Sequence, residues 1–177
     1  MKHIATHFFR FATLGALAAA LAACAGSSNK RPQSELAALR AQAAPEPQSL
    51  LNPIQGKRFA DNWGVPRSGG RKHQGVDIFA PKGTPIRSTS DGIVVKKGNG
   101  GLGGKTVTVQ GAGAQHYYAH LSRFAGKKPY QRVRAGEIIG YVGQTGNAKN
   151  TPPHLHYGVY PTRGGAVNPY PLINQNR

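Results

Sequence analysis

Gly92-Ile93-Val94-Val95-Lys96-Lys97 and Lys105-Thr106-Val107-Thr108-Val109-Gln110 decide the class of fold. Both segments are rich in β-branched residues, which suit a pleated, half-buried surface. A glycine-rich link, Gly98 to Gly104, joins them, so the pair reads as a β-hairpin. Outward from the hairpin, Gln115 to Leu121, Glu137 to Val142 and His154 to Tyr160 have the same strand-like character. The 24 glycines and 13 prolines punctuate short strands, and no segment holds a sustained helical period. The expected fold is all-β, of antiparallel sheets, in one domain over residues 56–177.

Two short histidine motifs lie almost eighty residues apart, His73-Gln74-Gly75-Val76-Asp77 and His154-Leu155-His156, the second opening the last of these segments. Together they offer imidazoles and a carboxylate for one metal, with a histidine left over. A catalytic zinc site needs that inventory: three protein ligands, an open position and a proton-transfer group. On a strand, His154 and His156 point to one face with Cα atoms about 7 Å apart. His73 and Asp77 would lie about 13 Å apart on a straight strand, too far to share an ion. Gly75 permits a bend between them, so His73 is read as ending a loop and Asp77 as starting a strand. Taken alone, a histidine in a loop is more commonly just a surface residue. Of the seven histidines, His3 and His7 lie at the amino terminus, leaving His116 and His120 as further candidates. By strand alternation His116, Tyr118 and His120 share a face. His116 is nevertheless read as a polar residue at a strand start rather than as part of the site.

The stretches "HQGVD", "YYAHL" and "PPHLHYGV" resemble the three motifs of the M23 zinc endopeptidases, the lysostaphin-like or LytM-type peptidoglycan hydrolases. The resemblance runs from about Arg58 to Leu172 and includes "GVDIFAPKGTPIRSTSDGIVV", "VRAGEIIGYVGQTGNA" and "VNPYPLI". It implies that His73, Asp77 and His156 bind Zn²⁺ and that His120 and His154 are the two catalytic histidines, their separate roles left open. It also implies an endopeptidase that cuts peptide cross-links of peptidoglycan, with D-alanyl–diaminopimelate bonds as the expected target. Some staphylococcal members carry a tyrosine shortly before the first zinc histidine. Here Arg67 to Lys72 reads R-S-G-G-R-K, and Arg67 or Arg71 is the candidate to stand in electrostatically or to bind anionic substrate. A second class of reading also exists. Some M23-like lipoproteins have lost zinc residues and activate a cell-wall amidase as regulatory partners. Retention of all five positions favours catalysis.

The amino terminus carries Lys2 and Arg10, then an apolar run from Phe11 to Ala23 that is short for a membrane span. Leu21-Ala22-Ala23-Cys24 resembles the bacterial lipobox, which implies a signal peptide over residues 1–23 and a lipid on Cys24. Cys24 is the only cysteine, so no disulfide forms within the chain. Ordinary signal cleavage after Ala25 is the competing reading. Ala25 following the cysteine, by resemblance to proteobacterial lipoproteins, favours the outer membrane, facing the periplasm. Residues 24–55 are rich in Ala, Ser, Pro and Gln and read as a flexible tether. Ser34 to Arg40 has the composition of a short helix, but isolated helices of that length are marginal.

The chain carries a formal charge of +17, and loss of Lys2 and Arg10 with the leader takes it to +15. Such a charge attracts polyanions. Export and the lack of a nucleic-acid signature exclude nucleic acid as partner. Carboxylates of peptidoglycan stems and lipid phosphates remain, with Lys97, Lys127 and Arg132 among the candidate contacts.

Overall fold

The computed structural model describes residues 30–176. One α-helix, α1 (Lys30–Ala41), precedes the strands β1 (Leu50–Leu51), β2 (Val76–Phe79), β3 (Pro85–Arg87), β4 (Gly92–Gly100) and β5 (Gly104–Gln110). Then follow β6 (Ala114–Leu121), β7 (Arg123–Phe124), β8 (Arg132–Val133), β9 (Ile138–Tyr141), β10 (His154–Pro161) and β11 (Ile173–Asn174). The main sheet has the order β2-β10-β6-β5-β4-β8 and is antiparallel throughout. A smaller antiparallel sheet, β3-β9-β7, packs with it, and β1 pairs with β11 in parallel. The all-β expectation holds, with this parallel pair as an addition. The hairpin read from sequence is β4-β5, whose strands extend through the glycines and turn at Gly101–Gly103.

Strand alternation sorts β10 into two faces. Leu155, Tyr157 and Val159 enter the core with Ile78, Val94 and Val107, while His154 and His156 face the other way. Burying a Leu, Val or Ile side chain is worth about 1.5–3 kcal/mol, so a one-residue slip of β10 would lose several such terms at once. Register is therefore held by the core. It places His156 directly opposite Asp77 on one side and Ala119 on the other.

Of the segment expected to be a flexible tether over residues 24–55, the described part holds α1 and β1, and both are seated on the rest of the domain. In α1, Leu36 is buried, Glu35 pairs with Arg132, and the Leu39 carbonyl accepts the Gly113 amide. Gly113 has φ 60°, and a Cβ there would strike the Ala43 carbonyl, so the turn accepts only glycine. Farther along, Leu50 lies in the core and β1 closes on β11. Composition alone misleads here because one buried leucine, one ion pair and one backbone bond seat a short helix on a preformed surface. Among the described residues no helix is long and apolar enough to cross a membrane, and the proposed signal peptide and Cys24 lie outside them.

Several basic residues expected to meet envelope anions have internal partners. Lys127 bonds Glu137, Arg132 bonds Glu35, and the Lys97 ammonium donates to the Ala125 and Lys127 carbonyls while lying 4.4 Å from the Phe124 ring centre.

Candidate metal centre and cleft

Three side chains converge where β2, β10 and the loop before β2 meet. His73 Nε2 lies 2.9 Å from His156 Nδ1 and 3.1 Å from Asp77 Oδ1, and His156 Nδ1 lies 3.0 Å from the same oxygen. The orientation of each is built in. His73 Nδ1–H donates to the Asn62 carbonyl at 2.7 Å, which leaves the Nε2 lone pair facing Asp77 and His156. Asn62 also accepts the Asp77 amide through Oδ1. The chain bends at Gly75, as expected, without a left-handed φ. Gly75 also allows close approach: a Cβ there would come within 2.6 Å of the His156 ring and of the Tyr157 carbonyl.

Burial opposes ionisation of Asp77, but hydrogen bonds and charge from His156 and His73 outweigh it and hold the carboxyl well below the usual carboxylate range. Burial pushes the His156 imidazole down, against the opposing pull of Asp77. At neutral pH Asp77 is therefore a carboxylate and the His156 imidazole is neutral, the protonation a metal requires of them. A tetrahedral zinc site with bonds of about 2.0–2.1 Å has ligand–ligand edges of about 3.3 Å. The three observed separations are close to that edge, and two nitrogens with one oxygen suit zinc. The residues therefore fit a divalent cation of this type.

His154 and His120 flank the cluster. His154 Nδ1–H donates to the Pro152 carbonyl at 2.9 Å, and its Nε2 lies 3.9 Å from Asp77 Oδ1. The half-exposed Phe79 ring stands beside it, centres 5.2 Å apart. His120 Nδ1–H donates to the Thr145 carbonyl at 2.9 Å. Its ring centre is 4.9 Å from that of His154 and 5.9 Å from that of His156. Burial and the nearby His154 lower the His120 pKa to about 4, against the opposing effect of the Thr145 carbonyl. Both imidazoles are held by carbonyls in the Nδ1–H form, so a neutral ring leaves Nε2 as an acceptor.

The shared face expected for His116, Tyr118 and His120 does not occur. His120 has φ 65°, and the β5–β6 register shifts between Lys105 and Val107. That left-handed residue turns the imidazole into the cleft, while His116 and Tyr118 remain in the core. The glycine-rich hairpin tip has a structural role here: the Gly103 carbonyl accepts the His120 amide. Thr145 Oγ1 accepts the Lys105 amide and donates to the Leu121 carbonyl, tying the next loop to the same corner. His116 is buried with Nδ1 2.7 Å from the Tyr157 hydroxyl.

Arg67 and Arg71 both line the cleft, which encloses about 760 Å³. Arg67 commits Nη2 to Asp77 Oδ2, and Arg71 folds back onto Ser68. Sequence reasoning missed Tyr117 and Tyr160 on the cleft floor. Tyr160 stands four residues after His156 and Tyr117 two before Ala119, so alternation placed both on this face. Burial raises the pKa of each, leaving protonated hydroxyls as donors.

Such a donor set in an open cleft over an antiparallel sheet is of the metallopeptidase type. The chain belongs to peptidase family M23, whose model matches residues 71–169. It is 42% identical over 127 residues to an L-Ala–D-Glu endopeptidase of Bacillus subtilis, covering 65% of this chain and 39% of that protein. It is 45% identical over 100 residues to the DD-carboxypeptidase/endopeptidase Mpg of Neisseria meningitidis, covering 56% of this chain and 22% of that protein. The chain thus spans less than half the length of either curated relative. Among solved structures, the catalytic domain of lysostaphin from Staphylococcus simulans superposes with a TM-score of 0.58 at 32% identity, covering 65% of this chain and 90% of that one.

Burial lowers the His116 pKa from 6.5 to about 4. The unfolded chain then binds the proton more readily between those values, so this contribution to stability is complete above about pH 6.5 and is lost as pH falls toward 4. Urea midpoints at pH 7 and pH 5 should show a smaller pH-dependent loss for His116→Gln than for the wild type. An equal loss in both proteins would refute this account.

Proposed function

We propose that the protein is a zinc-dependent endopeptidase that hydrolyses peptide cross-links of peptidoglycan. The convergence of His73, Asp77 and His156, with His120 and His154 beside them, carries the reading. When bound, zinc acts as a Lewis acid that eases deprotonation of a water and polarises a carbonyl. His73, Asp77 and His156 would hold it. His120 and His154, 4.9 Å apart by ring centres, bracket the attacking water with two acceptor nitrogens. One imidazole takes a proton as the water attacks, and the other orients the second O–H. That proton then passes to the leaving nitrogen as the C–N bond breaks, and the second water proton follows it, giving a carboxylate and an ammonium. Tyr117 and Tyr160 supply donors for substrate carbonyls on the floor of the cleft.

The substrate class is supported by the names of relatives, among them an L-Ala–D-Glu endopeptidase, a DD-carboxypeptidase/endopeptidase and a peptidoglycan DD-endopeptidase. They differ in the bond named, and D-alanyl–diaminopimelate is the bond we assign. The complete set of five residues supports catalysis rather than a purely amidase-activating role. Purified protein should hold about one zinc per chain and convert cross-linked muropeptides to monomers. A chelator should stop the reaction and added zinc restore it. His156→Ala should abolish turnover, and His154→Ala should lower it about 10²–10⁴-fold. Activity indifferent to both chelator and His156→Ala would sink the enzyme reading. Products cut between L-Ala and D-Glu would sink the bond assignment alone.

We further propose lipidation at Cys24 and attachment to the outer membrane, facing the periplasm. The sequence Leu21-Ala22-Ala23-Cys24 supports it. Cys24→Ser should move the protein from the membrane to the soluble fraction, and an unchanged distribution would refute the anchor.

A further inference from the structure

We propose that Arg67 is a positioning residue for the metal ligand Asp77, holding the carboxylate so that it presents one oxygen to the metal; this rests on the zinc reading above. The Asp77 carboxylate is split between two tasks. Oδ1 faces His73 Nε2 and His156 Nδ1, at 3.1 and 3.0 Å. Oδ2 is ion-paired with Arg67 Nη2. The Asp77 side chain is only 8% exposed, so an Oδ2 without that partner would be a buried, poorly satisfied anionic oxygen. The planar guanidinium occupies the outer oxygen and resists rotation of the carboxylate about its Cβ–Cγ bond. Bidentate attachment, which would crowd the position needed for water, is thereby disfavoured.

Arg67 is itself held. Its amide donates to the Arg71 carbonyl, Pro66 bridges Lys72, and Gly69 and Gly70 make the intervening turn with φ 72° and 71°. The tight R-S-G-G-R-K loop thus returns the chain so that Arg67 meets a carboxylate ten residues on. Arg71 instead donates to the Ser68 carbonyl and hydroxyl. The two arginines have separate assignments, which their shared motif did not reveal. Ligand-orienting partners of this kind typically change metal affinity 10–100-fold when removed.

The rival is a substrate contact, and the two roles separate by measurement. Zinc affinity of the full chain is measured by competition with a chromophoric chelator, for the wild type, Arg67→Gln and Arg67→Lys. Arg67→Gln should bind zinc about tenfold more weakly or worse. Arg67→Lys, which keeps the charge but not the planar fork, should fall between. At saturating zinc, KM for a cross-linked muropeptide should stay within about twofold of wild type in both variants, in line with a residue that does not contribute to substrate affinity. Unchanged or tighter zinc binding by Arg67→Gln, with KM raised, would overturn the proposal and make Arg67 a substrate contact. If Arg67→Gln does not fold, the Lys variant decides alone: zinc affinity equal to wild type overturns the proposal. A wild type that takes up no zinc overturns the zinc reading itself, a result distinct from normal uptake by wild type and variants alike.

Discussion

The antiparallel register of β10 between β2 and β6 is the constraint on which the site depends. Leu155, Tyr157 and Val159 on one face of β10 are buried in the core. Their burial commits His154 and His156 to the opposite face, and the pairing with β2 sets Asp77 across from His156. The site's ligand spacing is thus a consequence of apolar packing beneath the sheet. Short strands with one buried face give a steep energetic penalty for slippage, since a one-residue shift exchanges core and cleft side chains together.

Two departures from regular strand geometry complete the arrangement. His120 adopts a left-handed conformation that a non-glycine residue rarely takes, and it does so where three backbone segments meet. The Gly103 carbonyl, Thr145 and the Leu121 carbonyl all bond at this corner. Such local strain persists when the surroundings over-determine it, and here it turns an imidazole from core to cleft. Gly75 is the second departure: the His156 ring occupies the space where any side chain would begin. Both features show the backbone being adapted to the side chains of the site.

Much of the fold was legible because alternation and glycine punctuation are local signals. The β4-β5 hairpin and β9 lie where β-branched runs end at turn residues, and β6 and β10 where tyrosine- and histidine-bearing stretches do. The docking of α1 was not legible, since it rests on Leu36, the Glu35–Arg132 pair and a turn at Gly113 far along the chain. The β1-β11 pair, two residues long, has no periodicity to read. At the site, the histidine motifs were conspicuous, and Tyr160 could have been found from its even spacing to His156. Asn62 and Thr145 could not, because they orient the imidazoles through backbone carbonyls, which every residue possesses. The inward turn of His120 required the β5–β6 bulge, which strand alternation does not encode.

The central claim is that three side chains hold the metal while two further imidazoles remain outside its coordination shell. X-ray absorption at the zinc edge, on protein purified with its metal, tests this most directly. The account predicts two imidazole rings and one carboxylate oxygen at about 2.0–2.1 Å, with the remaining coordination from solvent. A shell with three or four imidazoles would contradict it, because His154 or His120 would then be a ligand and not a proton-transfer group.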